Sequence, residues 1–262
     1  MLKHRNFLWI AACVLAFSAT VEAKVHVQPI PYTHGEVQLE GVLAWDDSRT
    51  GKRPGILVVH EWWGLNEYAR KRAEQLAALG YVAFAVDMYG KGKVTDHGEQ
   101  ASQWAKEVTT NLPLWHDRAL EGLKILAAHP QVDPQNMAAI GYCFGGATVM
   151  QLVYANAPVK GVVSFHGSLP LPPAPPMLKR SAKVLIAHGE ADPFLTNDHI
   201  HNFQMALDQS GLDWQMVLYG GAQHSFTNPS ANQYGVKGVQ YHEQADRRSW
   251  KHMQLFFDEI FQ

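Results

Sequence analysis

Met137-Ala138-Ala139-Ile140 runs directly into Gly141-Tyr142-Cys143-Phe144-Gly145-Gly146. Four apolar residues suit a short buried strand, and the G-x-C-x-G that follows has the form of a sharp strand-to-helix turn carrying a nucleophile at its tip. Glycines flank that tip because the chain doubles back within a few residues, where a side chain would crowd the turn. Gly146 opens the next turn of helix to close packing. Sulfur stands where serine is more common. A lone cysteine can also be a small core residue, so Cys143 gains meaning only from what accompanies it.

The flanking segments repeat one theme. Ile56-Leu57-Val58-Val59-His60 reads as a buried parallel strand, and Leu65 to Leu79 has helical spacing ending at Gly80. Tyr81 to Val86 is a strand that closes at Asp87. A largely helical stretch follows, with a break near Asn111-Leu112-Pro113 and a second helix over Leu114 to Ala128. After the turn come a helix over Gly145 to Tyr154 and a strand over Val159 to Phe165. Leu169 to Pro176 holds five prolines and reads as an extended crossing. Lys183 to Ala187, Ile200 to Leu207 and Trp214 to Tyr219 read as strand, helix and strand. A helix over Val239 to Phe261 closes the chain, and Val37 to Leu43 alternates as an early, partly exposed strand. Such alternation predicts an α/β fold with a mostly parallel central sheet and helices on both faces.

The beginning of the chain reads differently. Lys3, His4 and Arg5 precede an apolar run from Phe7 to Phe17, and Val21-Glu22-Ala23 suits cleavage. Residues 1–23 are expected to be a secretory signal peptide and 24–262 a single catalytic domain, periplasmic or secreted. The apolar run is short for a membrane span, so no stable membrane insertion is expected. Cys13 offers a rival reading as a lipoprotein signal. The whole chain carries a formal net charge of −2, and loss of Lys3, Arg5 and Glu22 makes it one unit more negative. That balance gives no reason to expect a nucleic-acid partner. Of two cysteines, only Cys143 would remain, and a lone thiol exported to an oxidising space needs a task or a buried site.

An acid and a histidine follow the nucleophile in chain order. Asp192 lies in His188-Gly189-Glu190-Ala191-Asp192 beyond one strand, and His224 in Gly220-Gly221-Ala222-Gln223-His224-Ser225-Phe226 beyond the next. Nucleophile, acid, histidine is the order of the α/β-hydrolase arrangement. His224 would take the Cys143 proton and later protonate a leaving group, while Asp192 would fix the ring tautomer. Asp192 has a rival role as a helix cap near Pro193, and Glu190 is the alternative acid. The backbone N–H groups of Phe144 and Trp62 are the expected oxyanion donors. His60 and His188 lack any compact zinc spacing, so neither metal nor cofactor is expected.

Together, His60-Glu61-Trp62-Trp63-Gly64-Leu65-Asn66, Asp87-Met88-Tyr89, the Cys143 turn, His188-Gly189-Glu190-Ala191-Asp192-Pro193 and His224-Ser225-Phe226 resemble the dienelactone hydrolase family. The resemblance implies Cys143, Asp192 and His224 as a triad, with Trp62 and Phe144 at the oxyanion. It also implies that Glu61 engages the resting cysteine and gates its activation. Lys91 and Asn228 fall where family members carry two arginines that hold a substrate carboxylate. Lys91 keeps the charge without the planar fork, and Asn228 is neutral. Tyr89 and Trp63 are further candidates for the substrate pocket. The expected substrate is a small ester or lactone, with a broad carboxylesterase or thioesterase as the alternative. A non-catalytic ligand-binding or thiol-sensing protein is the rival of another class. A monomer is expected, with an oligomer left open.

Overall fold

A computed structural model describes residues 24–172 and 182–262. The expected signal peptide and the latter part of the proline-rich crossing lie outside the described residues. Within them, residues 169–172 form no regular element.

Eight strands form one sheet: β1 (Val25–His34), β2 (Val37–Asp46), β3 (Arg53–Val59), β4 (Val82–Val86), β5 (Val132–Tyr142), β6 (Gly161–Phe165), β7 (Lys183–Gly189) and β8 (Trp214–Tyr219). Their spatial order is β1-β2-β4-β3-β5-β6-β7-β8. β1, β2 and β4 pair antiparallel, and from β4 to β8 every neighbouring pair is parallel. The helices are α1 (Glu67–Ala78), α2 (Gly98–Thr109), α3 (Leu112–Ala127), α4 (Phe144–Tyr154), α5 (Asn197–Ser210) and α6 (Glu243–Ile260).

Period-two patterning explains how both faces are covered. Leu57, Val59, Phe84, Val86, Ala139, Val162, Val184 and Ile186 point to one face, where α2 to α5 contribute Val108, Trp115, Leu123, Met150 and Phe203. Their neighbours Ile56, Val58, Ala83, Ala85, Ala138, Ile140, Val163 and Leu185 point to the other, packing against Ala69, Ala73 and Leu76 of α1 and Met253, Phe257 and Ile260 of α6.

The expected elements are present; β5 begins at Val132 rather than Met137, and three further differences have a physical cause. β1 was not anticipated, because Pro29 and Pro31 interrupt its reading. It is an edge strand, the position where a missing N–H is tolerated. α6 begins at Glu243 rather than Val239. Val239 instead bridges to His224, and the His242 side chain accepts from the Ala245 N–H to start the helix. α5 begins earlier than Ile200, because the Thr196 hydroxyl caps it through the His199 N–H. The break between α2 and α3 falls where Asn111 caps and Pro113 enters the first turn.

Parallel registry aligns the C-terminal ends of the strands. Val59 lies beside Gly141, Tyr142 beside Phe165, and Gly189 beside Tyr219. Glu61, Cys143, Asp192 and His224 therefore leave the sheet along one edge, where open α/β sheets present their ligand sites.

Candidate active site

Cys143 caps α4 with φ of 54° and ψ of −112°, a backbone state costly to any side-chain-bearing residue. Packing on both sides enforces it. A Cβ on Gly141 would lie 2.0 Å from the Gly145 carbonyl oxygen, and one on Gly145 would lie 2.2 Å from that of Val59. The Cys143 N–H donates to Phe165 O at 3.0 Å, tying the turn to β6. The thiol is partly exposed. Phe144 is the first residue of α4, so its N–H has no partner within the helix and stands beside the sulfur-bearing residue.

His224 stands within electrostatic reach of the Cys143 side chain, and its Nδ1 lies 2.7 Å from Asp192 Oδ2. The other Asp192 oxygen accepts from the Phe194 N–H at 2.9 Å. Burial lowers the basicity of His224, but the Cys143 thiolate charge and the Asp192 bond outweigh it and lift the pKa to about 10. Burial raises the Asp192 carboxyl, yet the hydrogen bond and charge of His224 and the Phe194 N–H leave it below the ordinary carboxylate range. Glu190, the alternative acid, is exposed and accepts from the Gly221 N–H. Asp192 is not a helix cap, since Thr196 caps α5.

Glu61 is buried. Ser225 Oγ donates to one of its oxygens and Asn228 Nδ2 to the other, each at 2.6 Å. Both donors follow His224 in the same loop, so this conformation commits the carboxylate to the histidine loop. Burial raises its pKa, against the pull of these two donors. Asn228 is fully buried on Glu61, and Lys91 pairs with Glu40 at 2.7 Å with half its side chain exposed. Neither expected substrate contact is free: one serves a buried carboxylate and the other a surface ion pair.

Tyr89 is buried against His60 and Phe144, its hydroxyl has no hydrogen-bond partner, and Cys143 lies within electrostatic reach. The hydroxyl is itself buried. Trp63 is fully buried and stacks on Tyr234 with ring centres 4.0 Å apart, so it braces the loop instead of lining a pocket. Trp62 is half-buried at the end of β3 and tilts against Trp63. His60 is also structural, with Nδ1 at 2.5 Å from Glu61 O and Nε2 accepting from the Met88 N–H.

Two residues beside His224 escaped the sequence reading. Phe194 stands edge-on to its ring at 5.0 Å and is 54% exposed, giving the site an apolar rim. His166, directly after β6, lies 5.3 Å from it. The available signal for His166 was a polar residue at the end of a buried strand, on the same edge as the nucleophile.

The sequence profile of the dienelactone hydrolase family matches residues 39–261. A dienelactone hydrolase-like promiscuous phosphotriesterase from metagenomic libraries is 35% identical, with a TM-score of 0.86 over 91% of this chain and 99% of that one. A Yersinia pestis protein provisionally named carboxymethylenebutenolidase is 26% identical over 84% of this chain and 83% of its own. A Synechocystis protein with the same provisional name is 27% identical over 92% of this chain and 99% of its own. With strand order, turn geometry and profile in agreement, the chain belongs to the dienelactone hydrolase family and is a hydrolase of carboxylic esters or lactones.

Proposed function

We propose that this protein cleaves ester or lactone bonds through Cys143, His224 and Asp192. The observation that carries the proposal is His224, held at Nδ1 by Asp192 and within electrostatic reach of the Cys143 side chain. The Cys143 sulfur attacks the carbonyl carbon, forming a C–S bond and moving the π electrons onto oxygen. The Phe144 and Trp62 N–H groups receive that oxyanion. Collapse breaks the C–O bond, and the leaving alkoxide takes the His224 proton. Water then gives a proton to His224 and attacks the thioester, and the C–S bond breaks to return the thiolate and release the acid.

The preferred substrate in this reading is neutral. The positions where the family resemblance expects two carboxylate-holding arginines carry Lys91, paired with Glu40, and Asn228, held on Glu61. Phe194 and Trp62 offer aromatic surface instead. Glu61 acts as the gate in this proposal by leaving Ser225 and Asn228 for the thiol when the site is empty.

Hydrolysis of matched neutral and carboxylate-bearing lactones, aryl esters and thioesters, with Cys143→Ala run in parallel and intact-mass detection of the acyl adduct, tests the reading. Cys143-dependent turnover with a transient adduct is expected, faster on the neutral substrates. Equal turnover by the variant would overturn the nucleophile. Modification of Cys143 without turnover would mark a thiol-sensing protein. Export after removal of residues 1–23 is part of the proposal, and the N-terminal sequence of protein recovered outside the cytoplasm tests it. A monomer mass by light scattering is the expected solution state.

A further inference from the structure

His166 touches each of the three segments that carry the proposed triad. Its backbone N–H donates to Ala187 O at 2.8 Å, on the strand leading to Asp192. Its ring lies 5.9 Å from that of Tyr142, the residue before the nucleophile. It stands edge-to-face against His224 and Phe226, each at 5.3 Å, and its Nε2 is 2.7 Å from Thr227 Oγ1 in the same loop. The preceding residue, Phe165, accepts the Cys143 N–H. His166 is fully buried and holds φ of +40°, a region that side-chain-bearing residues rarely occupy. Such strain persists only where the surroundings over-determine the backbone.

A buried chain of polar groups backs the contact. Arg72 Nε donates to Tyr68 Oη at 3.3 Å, Tyr68 Oη lies 2.6 Å from Thr227 Oγ1, and Thr227 meets His166. Arg72 also donates to the Thr227 carbonyl at 2.7 Å and pairs with Asp246. Arg72 can only donate, so the chain has a preferred direction: the phenol O–H points to Thr227 and the Thr227 O–H to His166 Nε2. That direction makes Nδ1 the protonated nitrogen of His166, and Nδ1 is buried without a partner. Burial, with the charges of His224, Arg72 and His188 around it, holds the ring neutral. A neutral ring leaves the His224 imidazolium without a like charge at its face.

We infer that His166 is a positioning residue, holding the His224 ring on Cys143 through its edge-to-face contact and its bond to Thr227. The inference rests on the reading of Cys143 and His224 as a nucleophile–base pair. It predicts that the Thr227 hydroxyl matters to catalysis although it touches no reacting atom.

The test uses the full protein and two variants, His166→Phe, which keeps an aromatic ring, and Thr227→Val, which keeps the side-chain shape. The rate of Cys143 alkylation by iodoacetamide at neutral pH is followed beside kcat and KM on an aryl ester and the circular dichroism melt, with His224→Ala as the reference. Each folded variant should slow alkylation and lower kcat by about tenfold to a hundredfold, with KM within about twofold. Combining the two should cost no more than the larger single loss, because both break one link. Folded variants with the wild-type alkylation rate and kcat would overturn the inference, as would losses confined to KM. If His166→Phe fails to fold, Thr227→Val alone decides. Equal alkylation of the wild type and His224→Ala would instead overturn the nucleophile–base reading.

Discussion

In the proposed chemistry one proton is held between Cys143 and His224. The thiolate charge and the Asp192 bond raise His224 to about 10 against the effect of burial. Replacing Cys143 with Ala removes the foremost of these raising influences, so the His224 titration midpoint, followed by NMR of its ring, should fall from about 10 toward its ordinary range. In the wild type, kcat/KM should decline as pH rises through about 10, where His224 loses its proton. Asp192 works in the opposite direction. Its folded pKa is depressed, so its stabilisation is present above its unfolded value of about 3.9 and is lost as pH falls below it. Acid melts of the wild type and Asp192→Asn should converge as pH drops. Near neutrality, Asp192→Asn should lower kcat by roughly 10³–10⁴-fold, because the amide presents the wrong group to Nδ1 and favours the wrong tautomer. A decrease smaller than tenfold would assign the acid to another residue.

The turn between β5 and α4 shows why an element junction can tolerate less change than a core position. At Gly145 a Cβ would meet two backbone carbonyls, Val59 O at 2.2 Å and His60 O at 2.7 Å, and neither can move without displacing the central strand. Gly145→Ala should cost about 3 kcal/mol or more, a fall in Tm of roughly 6–12 °C for a chain of this size. Gly35, at φ of +58° with nothing within 4 Å of its absent Cβ, provides the contrast. Gly35→Asn should change stability by less than about 1 kcal/mol, since asparagine accepts this backbone region. Equal effects of the two substitutions, read from thermal melts, would show that crowding at the turn is unimportant. Element existence was largely legible in the chain: α1, β3, β5 and β7 carry clear apolar periods. β1 was not, because prolines mask a strand wherever the reader cannot know it sits at an edge. The start of α6 was also hidden, because Val239 continues an apolar pattern that pairing with His224 takes over.

Across the whole molecule, Arg72 joins parts that are distant in sequence. From α1 it reaches Asp246 of α6 at 2.5 Å and the Thr227 carbonyl of the histidine loop at 2.7 Å, and it lies over the rings of Tyr68, Tyr142 and Trp250. Arg72→Met leaves Asp246 and the carbonyl buried without their donor, and should cost about 3–5 kcal/mol in urea or thermal unfolding. Arg72→Met combined with Asp246→Leu should recover part of that loss, because an apolar pair removes the stranded charge. A double variant less stable than Arg72→Met alone would refute this account of the pair. These links tie the histidine loop, whose own regular structure is a 3₁₀ turn over Ala231–Tyr234 and a single bridge from His224 to Val239, to α1 and α6.

Chain order and residue type were enough to determine the layered α/β architecture and the sharp turn at Cys143, and they set the proposed nucleophile, acid and histidine in order. Those features are written in local periodicity, in glycines that a crowded turn demands, and in loops that follow strands. What each candidate side chain contacts was decided only in three dimensions. Lys91 is claimed by Glu40, Asn228 by Glu61, and Trp63 by Tyr234, because a side chain takes whichever partner the fold brings within reach. His166 belongs to the same class. Its local mark is a polar residue at the end of a buried strand, and its place between the proposed nucleophile turn, the acid strand and the histidine loop exists only once parallel strands bring their ends to one edge.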